Sequence, residues 1–506
     1  MIETCFSSKE VDILLFAEGT YPFVRGGVSS WIFQLIENLP QYKFGVIFLG
    51  AVEGLYKEFL YPIPDNLVHL QIVYLFFVEE REKGIPLKLD SRQEELDQIK
   101  EMHQTFKQSH GCPKDLCEQL PNISHLLAED SFNLEHFLRS EESWEYIKEQ
   151  YTSYSTTSSF IDYFWNVRNM HMPLWQMAKM VEKVPKTKVL HSISTGYAGF
   201  LATMIHQRYG WPMILCEHGL YSKERSIELL QTTMFPRVDK LISNTKNFSY
   251  QHNVWLNFFD SLARSCYHYA SLIISLYDNA RLQQQSAGAD EAKTLVIPNG
   301  VDIKKFAAIR RPANAEIPKI VCFVGRVVRI KDVKTFIRSI AIMIEMDPGI
   351  KAWIRNIGNE DPEYAQECLD YISLMGLKDH IHFIEEGDML YILANAGLIV
   401  LSSISEGMPL VLLESLAAGI PVIATSVGAC KELIEGRDEE DRALGKCGAV
   451  ISITNASMLA EEAVKLLNNR ALWQQAHKVC ITRVEKYYTQ EKMVNSYNDI
   501  YQKALS

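Results

Sequence analysis

The chain has 506 residues, and nowhere in it do about 18 or more uncharged apolar residues run together, the length a membrane-crossing helix needs. The longest candidate, around Leu410–Ala429, is interrupted by Glu414. At the N-terminus, Glu3, Lys9, Glu10 and Asp12 precede the short apolar run Ile13–Ala17, a pattern that does not read as a secretory leader. Cysteine is sparse, with ten scattered residues, several of them inside apolar runs such as those around Cys216 and Cys322. Cys112 and Cys117 are close in sequence, but no second pair or histidine cluster completes a zinc set. Reduced thiols in a cytoplasmic protein are the expectation. Positive charge is in deficit: Lys+Arg number 51 against 62 Asp+Glu, a net charge of -11. That argues against the broad phosphate-neutralising surface a nucleic-acid partner would need, while leaving room for a local anion site. The sequence also lacks Gly-x-Gly-x-x-Gly, a Walker A loop, Gly-x-Ser-x-Gly, His-x-x-x-His and Asp-x-Asp. A dinucleotide fingerprint and a nucleophile elbow are thereby excluded.

What is present is a repeated alternation of short apolar runs and amphipathic stretches. Runs such as Asp12–Ala17, Phe44–Leu49, Ile320–Val324 and Leu398–Leu401 are apolar at consecutive positions. A parallel sheet covered on both faces requires this, so the pattern predicts a doubly wound α/β fold. The alternation occurs twice, on either side of a Pro-containing linker at Phe306–Pro318. Residues 1–307 are therefore expected to form one domain and 308–485 a second. The stretch 486–506 reads as a helix crossing back to the first. Between about 78 and 180 the rhythm breaks into aromatic-rich helical sequence, read as an insertion. Its opening, Glu79–Glu101, carries 13 charged residues in 23 and reads as a solvated face, with an interaction surface as the alternative.

Several segments carry chemistry. Gly26 and Gly27 open a helix after the first strand, where a ligand can approach the backbone and helix amides attract anions; a plain tight turn is the alternative. In the second domain Arg326 follows the first strand, with Lys331 and the good N-cap Asp332 beyond it. Cations at the carboxyl end of a parallel strand suit a diphosphate, although solvated surface cations would look the same. The richest segment contains Glu406-Gly407-Met408-Pro409-Leu410 and Glu414. Pro409 suits a first helical turn, which would leave the amides of Gly407, Met408 and Leu410 facing a cleft. At about 100° per residue the two carboxylates fall on neighbouring faces. The apolar flanks of Glu414 suggest burial, and a buried carboxylate needs a partner such as a ligand hydroxyl. His191 and His218 lie near the ends of two other strands, either as ligand-facing groups or as ordinary structural histidines. Asp438–Asp441 reads as a solvated loop rather than a metal site.

In combination these residues resemble the family 4 retaining glycosyltransferases of the GT-B fold, most strongly over Ile297–Ile434, including Pro298-Asn299-Gly300-Val301-Asp302. The stretches Ala17–Trp31 and Glu217–Arg225, with the helical insertion, resemble the Pel exopolysaccharide glycosyltransferases (PelF type) over nearly the whole chain. The resemblance implies two Rossmann-like domains facing a central cleft, an acceptor-side first domain and a nucleotide-sugar-binding second. It implies that Arg326 and Lys331 hold the diphosphate, Glu414 the ribose hydroxyls and Glu406 the donor sugar. The amides of Gly407, Met408 and Leu410, around Pro409, would meet sugar and phosphate, with Gly26 and Gly27 approaching from the first domain. Catalytic roles would fall to Glu406, Lys331, Arg326 and His218. One departure stands out. The family often carries His-x-His at the fourth N-terminal strand, where this chain has His191-Ser192-Ile193. The task of the second histidine is lost, moved to His218 or done differently. Fixed cations and helix amides would stabilise the leaving phosphate, so no metal or other cofactor is implied beyond the UDP-sugar donor. The implied activity is transfer of a hexose or N-acetylhexosamine to a growing exopolysaccharide of a biofilm. The place would be the cytoplasm or the inner face of the cytoplasmic membrane, with a membrane synthase or export complex as partner. Two alternatives are a nucleotide-sugar 2-epimerase and a non-catalytic nucleotide-sugar-binding subunit.

Overall fold

The structure, a computed structural model, describes residues 2–76, 92–107, 123–127, 132–155, 159–231, 250–312, 314–358, 361–384 and 389–506. Cys112, Cys117 and the first part of the charged run, 79–91, lie outside the described residues.

Two sheets form, as the consecutive apolar runs predict. The first contains β1 (Ile2–Phe6), β2 (Ile13–Glu18), β3 (Phe44–Gly50), β4 (Leu67–Tyr74), β5 (Val189–Ser192), β6 (Met213–Glu217), β7 (Leu272–Ser275) and β8 (Thr294–Val296), in the order β1-β4-β3-β2-β5-β6-β7-β8. Every pairing is parallel except that of β1 with β4. β1 has no counterpart in the sequence reading, because this outer strand is largely solvated and lacks an apolar run. The second sheet contains β9 (Ile320–Gly325), β10 (Lys351–Asn356), β11 (Ile381–Phe383), β12 (Leu398–Leu401), β13 (Val422–Thr425) and β14 (Gly448–Ile451), all parallel, in the order β11-β10-β9-β12-β13-β14.

Alternation along each strand divides the core into layers. Leu14 and Phe16 of β2 pack with Leu96, Ile99, Met102 and Phe106 of the helix Gln93–Lys107 and with Leu174 and Trp175 of the helix Phe160–Val181. The inserted helices therefore cover one face of the first sheet. The described part of the charged run is amphipathic, with a buried stripe, rather than a wholly solvated face. Ile13, Leu15 and Ala17 point the other way, into a layer with Trp31, Met493, Val494, Tyr497 and Tyr501. The last four belong to the helix Gln490–Leu505, which returns to the first sheet after the second is complete. The two chain crossings touch: Val301 N–H donates to Tyr488 O at 3.0 Å and Gln490 N–H to Val301 O at 3.0 Å. Gly300 admits this crossing, since a Cβ there would stand 2.6 Å from Gln490 Cα.

Asp441 is not in a solvated loop. Its carboxylate and the Arg483 guanidinium are both fully buried and pair at 2.6 Å. Arg483 also donates to the carbonyls of Ile434, Asp441 and Gly445 at 2.7 to 2.9 Å, tying the helix Arg470–Tyr487 to the loop before β14. Among the described residues the cysteines are unpaired, and no helix is long and apolar enough to cross a membrane.

Candidate active site at the seam between the two sheets

The segments that follow β2 and β6 meet the loop and helix that follow β12 at a seam. A Cβ built on Gly27 would lie 3.7 Å from Leu410 Cδ1, and one on Gly407 only 1.8 Å from His218 O. Asn299 Nδ2 donates to Met408 O at 3.1 Å. The backbones of Gly27, His218 and Gly407–Leu410, far apart in sequence, are thus brought together.

On the second-domain side, β9 runs through Arg326, which is exposed, into a short 3-10 turn at Arg329–Lys331. Asp332 follows with φ 45°, a left-handed conformation unfavourable for a residue with a Cβ. It is held there by capping the helix Val333–Met346, its carboxylate accepting from Thr335 Oγ1 at 2.6 Å. The turn presents Lys331, whose Nζ reaches Glu406 Oε1 at 2.5 Å. Ser403 Oγ donates to the same oxygen at 2.5 Å. The Lys331 and Glu406 side chains are only 16% and 9% exposed, so the pair is largely shielded from water. The loop after β12 is pinned from beneath. Ser402 Oγ donates to Lys331 O at 3.0 Å, Thr425 Oγ1 to Ser403 O at 2.6 Å, and Ala429 N–H to Gly407 O at 2.8 Å.

The helix after this loop spans Leu410–Ala417, with Pro409 as its N-cap rather than a residue of its first turn. Glu406 therefore sits in the loop, and the helical count of angles does not set its direction relative to Glu414. Glu414 lies within the helix. Burial pushes its carboxyl up to about 7, with Lys305 opposing weakly. Met408 is buried, its sulfur facing Asn299 N–H at 3.2 Å. Among the described residues the Asn299 side-chain oxygen is buried without a partner.

The first-domain side is more structural than the histidines suggest. His191 is fully buried, and its Nδ1 meets Tyr501 O–H at 2.6 Å, so it anchors the returning helix. The His218 ring packs edge-on against Trp31 with centroids 4.4 Å apart, its Nε2 3.7 Å from Cys216 Sγ. Burial pushes this imidazole down to about 3, so it is neutral at physiological pH. It is the backbone carbonyl of His218 that faces Gly407. Gly26 caps its helix in an extended conformation. Its N–H donates to Tyr61 Oη at 3.2 Å, and the space where a Cβ would stand is open.

Three carboxylates at this seam went unassigned in the sequence reading. Glu18, ending β2, accepts from Tyr221 O–H at 2.6 Å and from Arg225 at 3.4 Å. Glu217, ending β6, is buried and accepts from Thr195, Tyr267 and Gln284 at 2.7 to 2.9 Å. Glu224 packs its carboxylate over Gly219, where a Cβ would meet Oε1 at 2.0 Å. Burial, with Glu228, Glu217 and Glu406 nearby, pushes its carboxyl up to about 7. The available signal was a glutamate closing each of two apolar strands.

Two Rossmann-like domains closing on such a seam define a GT-B protein, and residues 305–486 match the family model described as "Glycosyl transferases group 1". Residues 11–292, more than half of the chain, match the model described as "Domain of unknown function (DUF3492)", and the chain belongs to that family. Among curated proteins it is similar to a D-inositol 3-phosphate glycosyltransferase of Geodermatophilus obscurus. The two are 29% identical over 198 residues, 34% of this chain and 43% of that protein. It is also similar to an N-acetyl-alpha-D-glucosaminyl L-malate synthase of Bacillus anthracis, 27% identical over 193 residues, 38% of this chain and 47% of the relative. The chain thus spans less than half the length of these relatives. A solved structure of Anabaena Alr3699/HepE in complex with UDP and glucose shares the fold. Its TM-score is 0.58 at 13% identity, covering 97% of this chain and 99% of that one.

Proposed function

We propose that the chain is a retaining hexosyltransferase. It would move a hexose or N-acetylhexosamine from a UDP-sugar to a growing exopolysaccharide of the Pel kind, at the inner face of the cytoplasmic membrane and without a metal. The observation that carries this reading is the shielded Lys331–Glu406 pair, set on a rigid loop beside the amides of Gly407, Met408 and Leu410 and facing Gly27 and His218 across the seam. The names of the two curated relatives and the UDP held by the structural neighbour support a nucleotide-sugar donor.

In this reading the ammonium of Lys331 has three donors, one spent on Glu406 and two left for the diphosphate, with Arg326 at its outer edge. These cations and the amides of the Leu410–Ala417 helix stabilise charge on the leaving phosphate without having to reorganise. Glu414, protonated or not, receives the ribose hydroxyls and so relieves its burial. Glu406 orients the donor sugar. His218, being neutral, lends its backbone carbonyl and ring edge rather than a charge. Gly26 and Gly27 let the first domain close over the phosphates, which keeps water from the donor.

The test is nucleotide release from a panel of UDP-, ADP- and GDP-sugars, with and without EDTA, for the wild type and Glu406→Ala. Turnover of one UDP-sugar that survives EDTA and is lost in the variant is expected. A new sugar isomer formed from donor alone would make the protein an epimerase, and binding without turnover would make it a non-catalytic subunit.

A further inference from the structure

Two carboxyl groups at the seam hold hydrogen-bonding capacity that the chain itself does not use. Lys331 and Ser403 both take the same oxygen of Glu406, Oε1, and Oε2 accepts no hydrogen bond among the described residues. Glu224 lies on the other side, in the first turn of the helix Tyr221–Gln231. A glutamate so placed can turn back to the free amides of its own helix start. Glu224 does not. Its carboxyl lies over Gly219, where an added Cβ would stand 2.0 Å from Oε1 and 3.3 Å from Oε2. It accepts no hydrogen bond and makes no ion pair among the described residues, whereas Glu18 and Glu217, the other carboxylates on this side, are each answered by two or more donors. Gly219 belongs to the contact between the domains: its Cα lies 3.6 Å from where a Cβ of Gly407 would stand, and Gly407 is the residue after Glu406. Tyr277 and Glu406 line a cavity of about 900 Å³ that opens beside this contact, and the Glu224 charge reaches both.

We propose that Glu224 is a contact to the donor sugar, and that it and Glu406 Oε2 bracket one hydroxyl of that sugar across the seam. The inference rests on the transferase reading above, in which Glu406 orients the sugar, and adds the residue by which the first domain grips it. The hydroxyl donates to the Glu406 carboxylate and accepts from the Glu224 acid, so the arrangement holds only while Glu224 keeps its proton. Its surroundings favour that proton. Glu228 and Arg225 face it from its own helix, Glu217 from the end of β6, Tyr277 from beyond β7 and Glu406 from across the seam. Arg225 is the one cation among these, and it is held by Glu228 at 2.6 Å and Glu18 at 3.4 Å. Burial first, then Glu228, Glu217 and Glu406, push the Glu224 carboxyl up to about 7. Above that pH it becomes an anion with no proton to donate, facing a second anion, and the hydroxyl loses its donor.

The experiment is calorimetric titration of the full chain, as wild type, Glu224→Gln and Glu224→Leu, at about pH 6 and about pH 8.5. The probes are UDP, UDP-glucose, UDP-galactose, UDP-N-acetylglucosamine and UDP-N-acetylgalactosamine. With the carboxyl at about 7, roughly nine chains in ten hold the Glu224 proton at the lower pH and about one in 30 at the higher. Relative to Glu224→Gln, the wild type therefore loses about 30-fold in affinity for its UDP-sugar between the two, a comparison that cancels the titration of Glu414 and of the ligand. Glu224→Gln keeps a donor and has no proton to lose, and binds about threefold more weakly than wild type at the lower pH. Glu224→Leu loses about tenfold there. UDP alone, which carries no sugar, binds all three proteins equally at each pH, and with thermal melting it reports that the variants are folded. The same pH dependence in wild type and Glu224→Gln, an undiminished UDP-sugar affinity in Glu224→Leu, or UDP weakened as much as UDP-sugar overturns the inference. Failure of the wild type to bind UDP or any of the UDP-sugars overturns the transferase reading instead, so the two failures are distinct.

Discussion

Gly407→Ala tests whether the seam is the working part of this molecule. The added methyl carbon would lie 1.8 Å from the His218 carbonyl oxygen and 3.0 Å from its carbon. A carbon–oxygen contact settles at about 3.4 Å, so the two backbones must part by about 1.6 Å. Neither side yields easily. Gly407 O is held by Ala429 N–H, and the neighbouring Gly428, at φ 53°, already packs against the Glu406 and Gly407 carbonyls. His218 follows Glu217, which is fixed by three side-chain donors. Gly407 itself is not in the left-handed region, so its own backbone accepts alanine. The displacement therefore passes to the paired crossing at Val301 and Tyr488, and the cleft opens. Misplacing reacting groups by about 1 Å costs about 100-fold. The expected result is a loss of about 100-fold in kcat/KM for sugar transfer, with the melting temperature nearly unchanged because each domain core is untouched. Steady-state nucleotide release and a melting curve measure both. Turnover within about threefold of wild type would refute the reasoning. So would a melting temperature that collapses along with the rate, since that would place the clash inside a domain.

Lys331→Met leaves the Glu406 carboxylate shielded with Ser403 as its remaining partner. Turnover should fall by orders of magnitude and stability by about 1–3 kcal/mol, and adding Glu406→Gln should restore the melting temperature but not turnover. For Glu414 the folded carboxyl is raised from 4.5 to about 7, so between those values the folded chain holds a proton that the unfolded chain releases. Its contribution to stability is full below pH 4.5 and is lost as pH rises through 7. Glu414→Gln should match the wild type in melting temperature near pH 5 and gain on it steadily to pH 8, and a pH-independent gap would contradict this. Arg483→Met strands the Asp441 carboxylate and several carbonyls in a dry core, and should cost about 3–5 kcal/mol in urea unfolding. Tyr501→Phe removes the hydroxyl partner of His191 and should loosen the returning helix, seen as faster amide exchange over Gln490–Leu505 with little change at β9–β14.

The helical insertion shows where pattern reading stops short. Its charged opening looks solvated in one dimension, yet the described part folds into an amphipathic helix whose Leu96, Ile99 and Phe106 complete the first core. The histidines are open in another way. A histidine at a strand end reads equally as a ligand-facing or a structural residue, and whether its ring or its carbonyl faces the cleft depends on partners such as Trp31 and Tyr501, which are remote in sequence.

The sequence by itself determined the two parallel sheets, because runs like Ile320–Val324 can be satisfied only when covered on both faces, a local requirement. It also singled out Glu406, Gly407 and Glu414 as candidates, since the loop and helix that carry them are continuous in the chain. Only the tertiary structure decided that Lys331 and Glu406 are partners, that Asp441 is buried against Arg483, and that Gly407 must be glycine because His218 O stands where its side chain would be. These are contacts between segments tens to hundreds of residues apart. Their energies depend on distance and desolvation, which no spacing along the chain encodes.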